Sequence, residues 1–269
     1  MRPFRFQEGS TPLLVSCPHV GTHIPGEFAI GMTPAALEVP DTDWHVDRLY
    51  DFARDLGAGM LVATYSRYVI DLNRPPDGAL LYPGASNTEL VPTTRFDFQP
   101  IYREGASPDR AAIDRRIGSY WRPYHDQLAR ELGRLKQTFG YALLWDAHSI
   151  RSLVPRFAPE RLPDLNLGSG GGSSADPALA ERLAALAAEA SAFTSVLNGR
   201  FKGGYITRAY GKPADGIEAI QLELAQATYM DEAPPWRYRP DLADRVRPVL
   251  SRFLETMLAW RPEMKRAAS

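Results

Sequence analysis

Cysteine is nearly absent. Cys17 stands alone in 269 residues, so no internal disulfide framework and no multi-cysteine metal site can form. A single thiol suits a reducing cytoplasm, which is the localisation expected. No charge of one sign dominates: 31 Lys and Arg face 32 Asp and Glu, a formal net charge of -1. That removes the electrostatic case for a nucleic acid or an anionic membrane surface as partner, and leaves room for a local basic pocket. Long apolar runs are missing too. No stretch approaches the roughly 20 apolar residues of a membrane span, and the Leu13-Leu14-Val15 run is too short for a signal peptide. There is no G-x-S-x-G elbow and no phosphate loop ending in GKS or GKT. The glycines from Gly168 to Gly172 are read as not directly following a strand, which sets aside a dinucleotide fingerprint.

What is present reads as one globular domain over 1–269, with 44% hydrophobic and 23% charged residues. Leu13 to Cys17, bounded by Pro12 and Pro18, reads as a buried strand. Asp43 to Leu56 has mostly helical apolar spacing and ends at Gly57. LVATYSRYVIDL is rich in β-branched and aromatic residues and suggests one strand, or two with a break near Ser66. Residues 75 to 108 form a long irregular excursion rich in Pro, Gly, Asn and Thr. Ile113, Ile117, Trp121, Tyr124, Leu128, Leu132 and Leu135 mark a strong helix, kinked at Pro123 and ended by Gly140. YALLWDAHS reads as a fully buried strand. Asp176 and Pro177 supply the N-cap and first turn of another helix. Ser195 to Leu197 and Ile217 to Leu224 add two strands, and a helix from about Leu242 to Trp260 closes the chain. Strands separated by helices imply an α/β fold with a central mixed sheet flanked by helices. In such folds the chemistry sits beyond the carboxyl ends of the strands, where His19, Asn73-Arg74, His148 and Gly199-Arg200 fall.

The five histidines limit any transition-metal site, because they must supply most of its nitrogen ligands. His148 and His19 each end an apolar strand, which gives an imidazole a fixed backbone and an open face. His23 follows His19 by four residues, but Gly21 and Pro25 argue against the helix that a zinc pair of that spacing needs. His45 lies in DTDWHVD, where Asp41, Thr42 or Asp43 caps a helix start or one carboxylate completes a metal site. Two histidines, one carboxylate and an open fourth position make the recurring catalytic zinc set. His125 is read as structural, and Cys17 as a core thiol. Arg67, Asp71, Asn73 and Arg74 cluster in SRYVIDLNR, and arginine forks bind carboxylates in bidentate fashion. The other reading is an Asp71–arginine salt bridge, and both can hold. Glu223 is a carboxylate inside an apolar run and shares a strand face with Gln221. It is either a buried general base with a raised pKa or an outward-facing surface group. Gly203 to Arg208, with Tyr205 and Arg208, is a substrate-gripping loop or a hairpin turn.

Taken together, SCPHVGTHIP, DTDWH, YSRYVIDLNRP, LLWDAHSIRS, NGRFKGGYITRAYG and AIQLELAQATYM strongly resemble the N-formylglutamate deformylase family, from about Pro12 to Met230. The resemblance implies a zinc-carboxypeptidase-like α/β fold and zinc-dependent hydrolysis of N-formyl-L-glutamate to formate and L-glutamate, a step of histidine degradation. It carries the zinc ligands onto His19, Asp43 and His148, with His45 and Asp47 as rivals to Asp43. It carries the substrate-carboxylate pair onto Asn73 and Arg74, and the catalytic glutamate onto Glu223. Arg67 or Arg208 then serves the second substrate carboxylate, with Tyr205 beside it. The alternatives are a zinc amidase or peptidase acting on another N-acyl amino acid, and a non-catalytic carboxylate-binding protein on the same fold.

Overall fold

The computed structural model describes residues 1–81 and 86–262. Seven strands form one mixed sheet: β1 (Phe4–Gln7), β2 (Leu13–Cys17), β3 (Gly59–Ala63), β4 (Ala142–Ile150), β5 (Leu165–Gly168), β6 (Ser195–Leu197) and β7 (Ile217–Ala225). Their order is β1-β3-β2-β4-β7-β5-β6. The central four strands are parallel to one another, β1 runs antiparallel to β3, and β5 runs antiparallel to β7.

The period-2 alternation of the central strands explains where the site can form. Leu13, Val15, Leu143, Trp145, Ala147, Ile220, Leu222 and Leu224 point to one face. There they pack under the helices Pro177–Glu189 and Pro240–Ala259, with Leu179, Leu183, Val246, Leu250 and Phe253. That face is apolar along its whole length. The opposite face begins apolar, with Leu14, Ala142, Leu144 and Ala219 against Tyr124, Leu128, Leu132 and Leu135 of the Arg122–Phe139 helix. Towards the carboxyl ends it turns polar: Ser16, Asp146, His148, Gln221 and Glu223 are all buried there. Buried polar groups need partners, and this face is where they converge.

Several elements depart from the sequence reading. Asp43 to Leu56 is a single-turn helix, Val46–Leu49, followed by a tight turn, Asp51–Arg54. Tyr50 breaks it, because its buried hydroxyl accepts a hydrogen bond from Trp145 Nε1 at 3.0 Å and draws it into the core. Strand β3 stops at Ala63, and no second strand follows it to Leu72. Ser66 Oγ accepts from the Tyr68 amide, and Asp71 Oδ1 from the Asn73 amide. Such local bonds turn the main chain out of the sheet. The long helix is interrupted by a wider π-type turn at Ile117–Trp121. Pro123, in the first turn of the Arg122–Phe139 segment, has no N–H to return to the turn before it. Gly140, at φ 85°, ends that helix. Strand β5 was not expected, so Gly168–Gly172 does follow a strand. No helix opens on those glycines, however, since the next begins at Pro177. Of the 75–108 excursion, residues 82–85 lie outside the described residues. The described part contains no named helix or strand. Among the described residues, no helix is long and apolar enough to cross a membrane.

Candidate metal centre and substrate cavity

His19, Asp43 and His148 come together, buried, with one potential ligand atom from each lying within 4.8 Å of the others. Pro18 ends β2 and His19 follows at once. The His19 carbonyl accepts a hydrogen bond from the Asp43 amide at 3.1 Å, which ties the two loops together. Asp43 does not cap the helix at Val46. Its carboxylate turns inward, with Oδ2 2.9 Å from His148 Nδ1 and 3.7 Å from His19 Nδ1, and it accepts the Ser149 amide. The two Nδ1 atoms therefore face the same carboxylate. The other ring nitrogens are held from behind. His19 Nε2 bonds Asp71 Oδ1 at 2.7 Å, and His148 Nε2 lies 3.3 Å from Asp146 Oδ2. A carboxylate behind a ligating imidazole fixes its ring and raises its basicity.

The electrostatics fit a cation. Burial holds the His19 imidazole below its ordinary pKa, helped by Arg67 and opposed by Asp71 and Asp43. That favours the neutral, ligating form. At His148 burial acts in the same direction, but Asp146 and Asp43 outweigh it and raise the ring well above its ordinary value. Two carboxylates around this imidazole thus call for positive charge between them. A nitrogen, nitrogen and oxygen donor set of this kind suits zinc.

Glu223 is buried beside this trio. Burial, reinforced by Asp43 and Asp146 and opposed by His148 and Arg67, pushes its carboxyl up to about 8. The outward-facing reading of Glu223 is therefore excluded. A group titrating near neutrality can both accept and return a proton. Gln221 shares its face as expected. Gln221 Nε2 donates to Glu223 Oε2 at 3.4 Å, and its Oε1 accepts the Gly204 amide at 2.7 Å.

One cavity is lined by His19, His148 and Glu223 together with Arg67, Arg74 and Arg200. Phe96, Ile150, Phe157 and Phe201 supply apolar wall. A larger, more open hollow beside β1, lined by Phe4, Arg5 and Asp47, contains none of these groups. The salt-bridge reading of the arginine–aspartate cluster holds, since Arg67 Nη2 donates to Asp71 Oδ2 at 2.6 Å, and Arg67 also borders the cavity. Arg74 donates to Thr88 O, Thr88 Oγ1 and Asn73 O. Asn73 Nδ2 lies 2.9 Å from His148 Nε2, and its Oδ1 accepts the Ile206 amide.

Other sequence candidates fall elsewhere. His45 turns its Nε2 to Trp236 O at 2.7 Å, and Asp47 pairs with Arg5 on the surface. His125 is structural, between Leu72 O and Tyr210 Oη, and His23 is exposed. Cys17 is a buried core thiol. Gly203 to Arg208 is not a hairpin turn, because Tyr205–Tyr210 is a short helix. That helix lays Tyr205 against Trp121 and His125, and Arg208 Nε donates to Gly203 O. Among the described residues the cavity lining includes neither Tyr205 nor Arg208. It does include Arg200 and Gln221, to which the sequence reading gave no substrate role. Arg200 followed a predicted strand end and Gln221 alternated with Glu223, so both signals were available.

A mixed α/β sheet gathers two histidines, an aspartate and a buried glutamate at its carboxyl edge, and the first three form a donor set that could hold a metal ion. The chain belongs to the N-formylglutamate amidohydrolase family, whose model matches residues 11–230, and it is an amidohydrolase. It is 54% identical over 258 residues to an N-formylglutamate deformylase of Pseudomonas putida, covering 96% of each chain. It is 55% identical to the enzyme of that name from Pseudomonas aeruginosa, covering 95% of this chain and 96% of that one. The crystal structure of an N-formylglutamate amidohydrolase from Ralstonia eutropha JMP134 superposes with a TM-score of 0.81 at 26% identity, over 96% of this chain and 98% of that one.

Proposed function

We propose that the chain hydrolyses N-formyl-L-glutamate to formate and L-glutamate, in the reducing cytoplasm and within histidine degradation. The observation that carries this reading is the convergence on one cavity of the His19–Asp43–His148 trio, Glu223 and arginine side chains. His19, Asp43 and His148 would hold a zinc ion. Zinc, when bound, would polarise the formyl carbonyl and make a water more acidic. Glu223 takes the proton of the attacking water on its carboxylate and passes it to the departing amine nitrogen. Asp71 and Asp146 keep the two imidazoles aimed at Asp43. Arg74 and Asn73, both in the cavity lining, would grip a substrate carboxylate, which a guanidinium fork matches. The partner is a small dianion, compatible with a net charge near zero when cations are concentrated in one pocket.

Formate release from N-formyl-L-glutamate, N-acetyl-L-aspartate and N-formyl-L-methionine tests the reading. N-formyl-L-glutamate should be hydrolysed fastest, with activity lost on metal chelation and regained with zinc. Equal rates on all three would remove the substrate assignment. Full activity in thoroughly metal-free protein would remove the metal.

A further inference from the structure

Gln221 is the polar neighbour of Glu223 on β7, two residues before it and on the same face. Ile220, Leu222 and Leu224 point the other way, into the apolar core. Gln221 is buried, only 3% exposed, and lines the cavity with His19, His148 and Glu223. A buried amide needs partners for both its oxygen and its nitrogen.

The oxygen is claimed by the chain that opens the Tyr205–Tyr210 helix. The Gly204 amide donates to Gln221 Oε1 at 2.7 Å, and the Ile206 amide donates to Asn73 Oδ1 at 2.8 Å. Gly204 packs directly on the Asn73 side chain. A side chain at 204 would collide with it, so glycine there allows the approach. A main-chain N–H can only donate. The oxygen of Gln221 must therefore face Gly204, and its NH2 group must face the other way. That way lies Glu223: Gln221 Nε2 donates to Glu223 Oε2 at 3.4 Å. The polarity of the amide is thus fixed by a main-chain partner, and a donor is presented to one carboxylate oxygen.

A free carboxylate turns readily about its last bond and takes a proton on either oxygen. A donor on Oε2 makes the two unlike. Oε2 accepts from the amide whether Glu223 is ionised or protonated on Oε1, because the carbonyl oxygen of a carboxylic acid still accepts.

We propose that Gln221 is a positioning residue that acts through Glu223: it holds Oε2 and leaves Oε1 to take the proton of the attacking water and return it to the departing amine. An O–H bond of water breaks as Oε1–H forms, and Oε1–H breaks as the amine N–H forms. Gln221 neither gains nor loses a proton. This role for Gln221 rests on the deformylation reading above, in which Glu223 moves the proton.

Formate release from N-formyl-L-glutamate is measured for wild type, Gln221→Glu, Gln221→Met, Glu223→Gln and the double variant Gln221→Met/Glu223→Gln, with metal content and a thermal melt for each. Gln221→Glu keeps an oxygen for the Gly204 amide and removes the donor. Gln221→Met keeps the length and removes both. Both should retain metal, keep KM within about threefold and lose roughly 10- to 100-fold in kcat. The double variant should be no slower than Glu223→Gln alone, since a group that acts through Glu223 then has nothing to position. Wild-type kcat in Gln221→Glu, with loss only in Gln221→Met, would assign Gln221 to anchoring Gly204 and overturn the proposal. A double variant slowed by the full Gln221→Met factor would overturn it too, as would a loss carried by KM. If Gln221→Glu does not fold, Gln221→Met and the double variant decide on the same terms. A slow Glu223→Gln beside fast Gln221 variants leaves the deformylation reading standing and removes the positioning role. A wild type that releases no formate, or near-normal turnover in Glu223→Gln, removes that reading and the positioning role with it.

Discussion

His148 and Glu223 are register partners on the adjacent parallel strands β4 and β7. Paired residues of neighbouring strands point to the same face, with side chains about 5 Å apart. The group proposed to move protons is therefore set beside a proposed ligand by the sheet ladder itself, not by a mobile loop. Glu223→Gln keeps the shape and removes the proton acceptor. It should retain metal and lose roughly 10²- to 10⁴-fold in kcat. Metal analysis together with initial rates checks this, and near-normal turnover would remove Glu223 from the proton path.

Asp43 contacts both imidazoles, whereas His45 and Asp47 point elsewhere. Asp43→Ala and His148→Ala should both lose metal and activity together. Asp47→Ala should keep its metal. Metal content after dialysis decides the matter: stoichiometric metal in Asp43→Ala would break the trio.

Arg74 reaches Thr88 and the Asn73 carbonyl with three separate nitrogens. A lysine ammonium is a single point of charge and cannot span them. Arg74→Lys should raise KM about tenfold or more, with a smaller effect on kcat, since the lost fork binds ground state and transition state alike. An unchanged KM would take Arg74 out of the substrate site.

His125 offers a pH test away from the metal trio. Burial lowers its pKa to about 4, below the ordinary 6.5, despite its bond to Leu72 O. The unfolded chain therefore binds this proton first as the pH falls. The stability that His125 contributes is complete above about pH 6.5 and is lost as the pH falls towards 4, by about 3 kcal/mol. Urea unfolding of wild type and His125→Asn at about pH 7.5 and about pH 4.5 checks the sign. The wild type should lose more stability than the variant over that interval. Equal losses would show that His125 is not the group responsible.

Much of this was readable from the sequence, for physical reasons. Strands β2, β4 and β7 are apolar runs with clear ends, so His19, His148 and Glu223 could be placed by where those runs stop or change. Asp43 was less accessible. A carboxylate before a helix is also what an N-cap looks like, and only the folded loop shows the side chain turned inward. The short elements were the least legible. Strand β5 has four residues, and the Tyr205–Tyr210 helix has six, too few to show a periodicity. The placement of Tyr205 and Arg208 was lost with that helix. Arg200 lines the cavity near a close approach of Gly168 to the backbone of Lys202 and Gly203 that leaves no room for a side chain, a tertiary contact no local pattern shows.

The order β1-β3-β2-β4-β7-β5-β6 has a consequence for how the centre comes into being. His19, Asp43, His148 and Glu223 are spread over some two hundred positions, and no two of the strands β2, β4 and β7 are neighbours in the chain. Closing contacts of such long range is slow, and each depends on the others being made. No fragment ending before Glu223 holds both the ligands and the glutamate. The three residues proposed as ligands meet when β2 pairs with β4, and Glu223 joins them only when β7 pairs with β4, so the full centre needs both pairings.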